Sequence, residues 1–115
     1  MDKGELVDKI NSLTAQIYKE MLGKGPKRVR AAVNNDILVI RIGRVQNTIS
    51  GHLSSSDNGR EALESVGRKL FDFFEQDAKN RYEEVVGKKI KEIYYDAKKV
   101  EGEIVLTVIF EENIL

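Results

Sequence analysis

The chain has 115 residues, 41% hydrophobic and 33% charged, with nine Gly, one Pro and no Cys, the length and composition of a single domain spanning 1–115. Without Cys there are no disulfides, thiolate zinc sites or thiol nucleophiles, and nineteen basic against nineteen acidic residues leave no charge imbalance that announces a nucleic-acid or membrane partner. No apolar run approaches the roughly 18 residues that span a bilayer, and no signal-peptide pattern opens the chain, so a cytoplasmic location is expected.

Leu6, Ile10, Leu13, Ile17 and Met21 recur at helical spacing and predict an amphipathic helix from about Gly4 to Leu22. Asp2 and Glu5 form a capping pair at its start, and Gly23 tolerates the positive φ that ends it. Pro26 then breaks the pattern. Arg28 to Val33 roughly alternates apolar and basic residues, Asn34-Asn35-Asp36 is turn chemistry, and Ile37 to Ile42 is a β-branched return strand, together a hairpin. Gly43 to Gly59 is polar and rich in Gly and Ser, read as an irregular connection.

Asn58 and Glu61 resemble a cap pair, after which Leu63, Val66, Leu70, Phe73, Phe74, Tyr82 and Val85 keep helical spacing. They predict a second helix from about Gly59 to Val86, closed by Gly87. Gly67 inside it suggests a close packing contact. Lys89 to Ala97 and Glu103 to Glu111 read as two more strands.

The expected fold is therefore α+β, in the order α-β-β-α-β-β, with a four-stranded, mainly antiparallel sheet and two long helices on one face. The second strand is apolar on both sides apart from Arg41, and the last carries Ile104, Leu106, Val108 and Phe110 on one side with Val105 and Ile109 on the other. Strands of that kind belong in the middle. Arg28, Arg30, Lys91 and Glu92 mark the first and third strands as edges, which predicts the order 1-2-4-3. Two helices cover one face only, so the apolar residues of the other face imply a second copy of the chain.

Catalytic chemistry finds little support. His52 is the sole histidine and lies among Gly and Ser, where a solvated loop position is the ordinary reading. Carboxylates such as Glu83 and Glu84 stand beside Lys88 and Lys89 and read as solvated ion pairs. No metal-ligand spacing is present, and no cofactor is expected. Gly23-Lys24-Gly25-Pro26-Lys27 lacks the phosphate-loop pattern and leads from helix to strand, the wrong order for cradling phosphate.

Charge is unevenly distributed. Between residues 23 and 56 there are six basic residues, Lys24, Lys27, Arg28, Arg30, Arg41 and Arg44, against the single acid Asp36. This makes the first hairpin a basic partner-binding candidate for an acidic protein surface, anionic headgroups or nucleic acid; the plainer reading is that the charges protect an edge strand. Phe71, Phe73 and Phe74 read as core rather than base-stacking residues. Tyr94 and Tyr95 point to opposite sides of their strand, leaving one exposed.

The stretch Gly23-Lys24-Gly25-Pro26-Lys27-Arg28-Val29-Arg30, then Asp36-Ile37-Leu38-Val39-Ile40, Gly59, Arg68, Val86-Gly87-Lys88-Lys89-Ile90, Asp96 and Val108-Ile109-Phe110, resembles the MpsC-like family. This family of small bacterial and archaeal domains is named for a component of a sodium-translocating, membrane-potential-generating system. The resemblance implies an α+β domain linked to sodium or inorganic-carbon membrane transport, with no enzymatic residue set. Where relatives carry a Leu-Thr-x-x-Glu stretch before the long helix, this chain has Asn47-Thr48-Ile49-Ser50-Gly51, so the acidic position has no counterpart.

The reading favoured by the sequence is a non-enzymatic accessory or interaction domain, a homodimer whose basic hairpin contacts a partner in a membrane-transport complex. A nucleic-acid-binding regulator is the second reading, less expected as a partner class. An enzyme would need an organised pocket around Arg68, Arg41 or His52 with perturbed ionisation.

Overall fold

The computed structural model describes residues 1–43, 56–97 and 103–115; the side chains at 60, 63, 64, 66, 67, 70, 71 and 97 fall outside that description. The described elements are α1 (Lys3–Leu22), β1 (Arg28–Asn34), β2 (Ile37–Gly43), α2 (Asp57–Val86), β3 (Ile90–Ala97) and β4 (Ile104–Phe110). All strand pairs are antiparallel, and the sheet order is β1-β2-β4-β3. The α+β class and the 1-2-4-3 order expected from strand polarity are both observed.

Local chemistry sets the helix ends. Asp2 Oδ1 accepts from the Glu5 amide at 2.8 Å, satisfying one of the donors a helix start leaves open. Gly23 (φ 81) and Gly87 (φ 79) end α1 and α2 in the left-handed region, each amide returning to a carbonyl four residues back, a conformation costly for side chains with a Cβ. The cap of α2 differs from expectation. Ser56, two residues ahead of Asn58, holds that position and accepts from the Gly59 amide at 3.0 Å. Both residue types cap well, and the extended backbone of Ser56 (ψ 159) decides between them.

The hairpin turn is two residues long, with Asn34 paired to Ile37 and Asn35 at φ 56, the left-handed conformation that Asn tolerates. At β3 the ladder skips from Ile90 to Glu92, a bulge on an edge strand, which discourages further strand pairing. The outer edge of β1 is guarded by α1: the Ala31 amide donates to Asn11 Oδ1 at 2.9 Å.

The core lies between the helices and one face of the sheet. Leu38, Ile40 and Ile42 of β2 and Leu106, Val108 and Phe110 of β4 are buried together with Leu6, Ile10, Ile17, Tyr18, Ala78 and Tyr82 of the helices. Burying each Leu, Ile, Val or Phe side chain among them stabilises the fold by roughly 1.5–3 kcal/mol relative to exposure. Along α1 the most buried stripe includes Thr14 and Tyr18, while Leu13 and Met21 are partly buried. The chain end also contributes: Ile114 is buried and its amide donates to the Asn35 carbonyl at 2.9 Å.

Phe73 departs from the sequence expectation. Expected in the core, it is 82% exposed, touching the half-buried Phe74 edge to face at 5.1 Å. A helix buries only one stripe, and Ala78 and Tyr82 define it; Phe73 stands off that stripe. The expectations for Leu63, Val66, Leu70, Phe71 and Gly67 rest on side chains outside the described set.

Candidate functional interface

The open face of the sheet is assembled from alternate residues of four strands, because side chains alternate across a strand and directly paired residues share a face. The register gives three complete rungs from β1 to β3. They are Arg30, Arg41, Val105, Asp96; Ala32, Val39, Thr107, Tyr94; and Asn34, Ile37, Ile109, Glu92. Arg28 lies beyond the first rung on β1, opposite Gly43.

These residues differ sharply in exposure from their neighbours on the core face. Leu38, Ile40, Val108 and Ile42 have no accessible surface, whereas Ile37 is 38% and Tyr94 55% exposed. Val39, Val105, Thr107 and Ile109 are half-buried, and Ala32 is exposed. Both central strands are apolar on two sides, as read from the sequence, but only one side is sealed by the helices. An apolar strip bordered by charge is the usual character of a contact surface.

The basic residues expected on the hairpin divide by position. Arg28, Arg30 and Arg41 share the open face, and Arg30 pairs directly with Arg41. Arg41 Nε donates to Glu103 Oε1 at 3.2 Å, which offsets the like-charge pairing of the two arginines. Lys24 and Lys27 are exposed in the connection after α1, with the Lys27 amide donating to the Gly43 carbonyl. Arg44 and His52 lie outside the described residues. Arg68 is exposed on α2 with its guanidinium 5.5 Å from the Tyr95 ring centroid, a cation–π distance. It lies away from the basic hairpin, on the side of the sheet covered by helices.

Tyr94 and Tyr95 separate as expected: Tyr94 is on the open face, and Tyr95 packs against the core. Glu83 does more than meet solvent. Its Oε2 accepts from the Ile90 amide at 2.7 Å and its Oε1 lies 3.9 Å from Lys89 Nζ, tying the end of α2 to the start of β3. An open cleft of about 470 Å³ borders this region, lined by Asn80, Glu83, Glu84, Lys88, Lys89 and Glu112 among others. Lys88 pairs with Glu112 at 3.6 Å, so its charges are largely engaged with one another. Arg81 joins α2 to α1 through Glu20 at 2.6 Å, and that hydrogen bond holds the Glu20 carboxyl below the usual carboxylate range.

Two buried phenols lie beneath the sheet. Tyr82 is hydrogen-bonded to Thr14 Oγ1 at 2.6 Å, and Thr14 donates in turn to the Ile10 carbonyl at 2.8 Å, which leaves Tyr82 as donor to Thr14. Burial pushes the Tyr82 phenol up to about 12. Among the described residues the buried Tyr18 hydroxyl has no hydrogen-bond partner, and burial raises it further still. Among the described residues no three His, Cys, Asp or Glu side chains are placed to hold a metal, and no helix is long and apolar enough to cross a membrane.

The family described as the Na+-translocating membrane potential-generating system (MpsC) matches residues 2–112. The chain belongs to the MpsC family. It is also 25% identical over 116 residues to the uncharacterized protein YrhF of Bacillus subtilis (strain 168), covering 94% of this chain and 89% of that one. No solved structure matches it. The MpsC match runs across every described helix and strand, so the open face belongs to the family domain.

Proposed function

We propose that this MpsC-family chain is a non-enzymatic accessory domain that works by protein contact, as a cytoplasmic homodimer associated with a sodium- or bicarbonate-linked membrane system. The link to such a system rests on the family description. The observation that carries the interaction reading is the open sheet face, where Ile37 and Tyr94 are 38% and 55% exposed beside Arg28, Arg30 and Arg41. Partner recovery by chemical cross-linking tests it, comparing wild type with Arg28→Glu/Arg30→Glu. Loss of cross-linked products is the expected result; an unchanged pattern removes the hairpin from the account.

The row of arginines on one face also supports a second reading, a regulator that binds nucleic acid through phosphate contacts. Such binding weakens steeply as salt rises, because released counterions drive it. Titration of a labelled duplex and a labelled single strand at low ionic strength decides: no binding there eliminates this alternative.

A further inference from the structure

We infer that the open sheet face seats a second copy of this chain, face to face, about a two-fold axis parallel to the strands. The inference rests on the homodimer reading above and deepens it by naming the face that pairs and its orientation.

Aligned packing of two identical sheets leaves two symmetric choices. An axis parallel to the strands turns each rung end for end, laying β1 of one copy over β3 of the other. The first rung then sets Arg30 against Asp96 of the second copy and Arg41 against Val105, beside Glu103. The second sets Ala32 against Tyr94, the smallest side chain of the face against the largest, and Val39 against Thr107. The third sets Asn34 against Glu92 and Ile37 against Ile109. Arg30 meets opposite charge, Asn34 meets a carboxylate and Ile37 meets an aliphatic side chain, with Arg41 over Val105 left unmatched.

An axis across the strands does the reverse. It stacks each strand on itself, with Asp96 over Glu92, Arg41 over Ile37 and Tyr94 over Tyr94. Asp96 and Glu92 bring like charges together, and two bulky rings compete for the centre; Arg41 meets an aliphatic side chain in either arrangement. Such juxtapositions cost interfaces dearly. The arrangement of charge on a chain with equal numbers of acids and bases thus selects one orientation.

Four strands at about 4.8 Å and seven residues at about 3.3 Å give a patch roughly 20 by 20 Å on each copy. At about 800 Å² for the pair, that falls below the roughly 1,200 Å² of stable interfaces and in the range of weak, transient ones, so association is best measured over a concentration series from micromolar to millimolar.

The test is sedimentation equilibrium of Arg30→Asp, Asp96→Arg and the double exchange, each checked for folding by circular dichroism. Within one copy the two positions are three strands apart, roughly 14 Å, beyond the screening length of about 10 Å at 0.1 M salt. Any rescue therefore reports contact between copies. Each single reversal is expected to weaken dimerisation by roughly tenfold or more, and the double exchange to restore most of it. In a second arm, Ala32→Cys copies mixed with Tyr94→Cys copies are expected to form a disulfide-linked pair in a chain that has no other Cys, while Ala32→Cys alone is not. A strict monomer overturns the inference, as does a dimer that neither variant weakens or that the exchange fails to restore. A strict monomer also removes the homodimer part of the proposed function, whereas the accessory-contact reading stands or falls on cross-linked partners other than a second copy in the Arg28→Glu/Arg30→Glu comparison.

Discussion

Thr14 and Tyr18 are four residues apart on α1, both buried, and chemically opposite. Thr14 Oγ1 meets the Tyr82 hydroxyl at 2.6 Å, whereas the Tyr18 hydroxyl has no partner among the described residues. Thr14→Val keeps the volume but strands the Tyr82 hydroxyl, and is expected to lower stability in urea unfolding by about 1–3 kcal/mol. Tyr18→Phe removes a hydroxyl that folding desolvates without return, so it is expected to be neutral or stabilising by up to about 1 kcal/mol. Both phenols also give the fold an alkaline limit. Because their folded pKa values are raised above 10.0 by burial, the folded state keeps protons that the unfolded chain releases. Their contribution is complete below pH 10 and is lost as pH rises from 10 through about 12; Tyr82→Phe and Tyr18→Phe should each flatten the fall in unfolding free energy over that window. None of this was legible from periodicity, which counts apolar residues and passes over a Thr whose partner lies 68 positions away. Phe73 shows the converse, an apolar residue at helical spacing that the fold leaves exposed.

Helix ends and strand order follow from short-range chemistry and were largely readable. Asp2, Gly23 and Gly87 act where their residue types suggest, and the apolarity of β2 and β4 on both faces placed them in the centre. The start of α2 lies two residues ahead of the Asn58 cap that the sequence predicts, because Ser56 and Asn58 are both competent caps and only backbone geometry separates them. Gly87→Ala is expected to cost about 1 kcal/mol in thermal or urea unfolding, through backbone strain, since among the described residues no atom beyond its chain neighbours lies within 4 Å of where its Cβ would sit. Neighbouring residues of β2 separate the two faces of the sheet. Leu38→Ala, on the sealed face, is expected to cost about 2–5 kcal/mol. Ile37→Ala, on the open face, should cost about 1 kcal/mol or less in the monomer and yet weaken self-association.

At the scale of the whole molecule, a 30-residue α2 is about 45 Å long and accounts for the 43 Å long axis. The sheet is sealed on the side facing the helices and open on the other, and its border runs from arginines on β1 to carboxylates on β3. The sequence showed that an unpaired apolar face was to be expected and that the first hairpin was basic. It did not show that Asp96, Glu92 and Glu103 share the face with the arginines, because that depends on the β2–β4 and β3–β4 registers, which no local pattern encodes. On the proposal above, a second copy closes this face. Light scattering of the wild-type chain over a dilution series tests it most directly. The mass should rise toward twice the 13.0 kDa of one chain as concentration increases; a mass of one chain at every concentration would contradict the account.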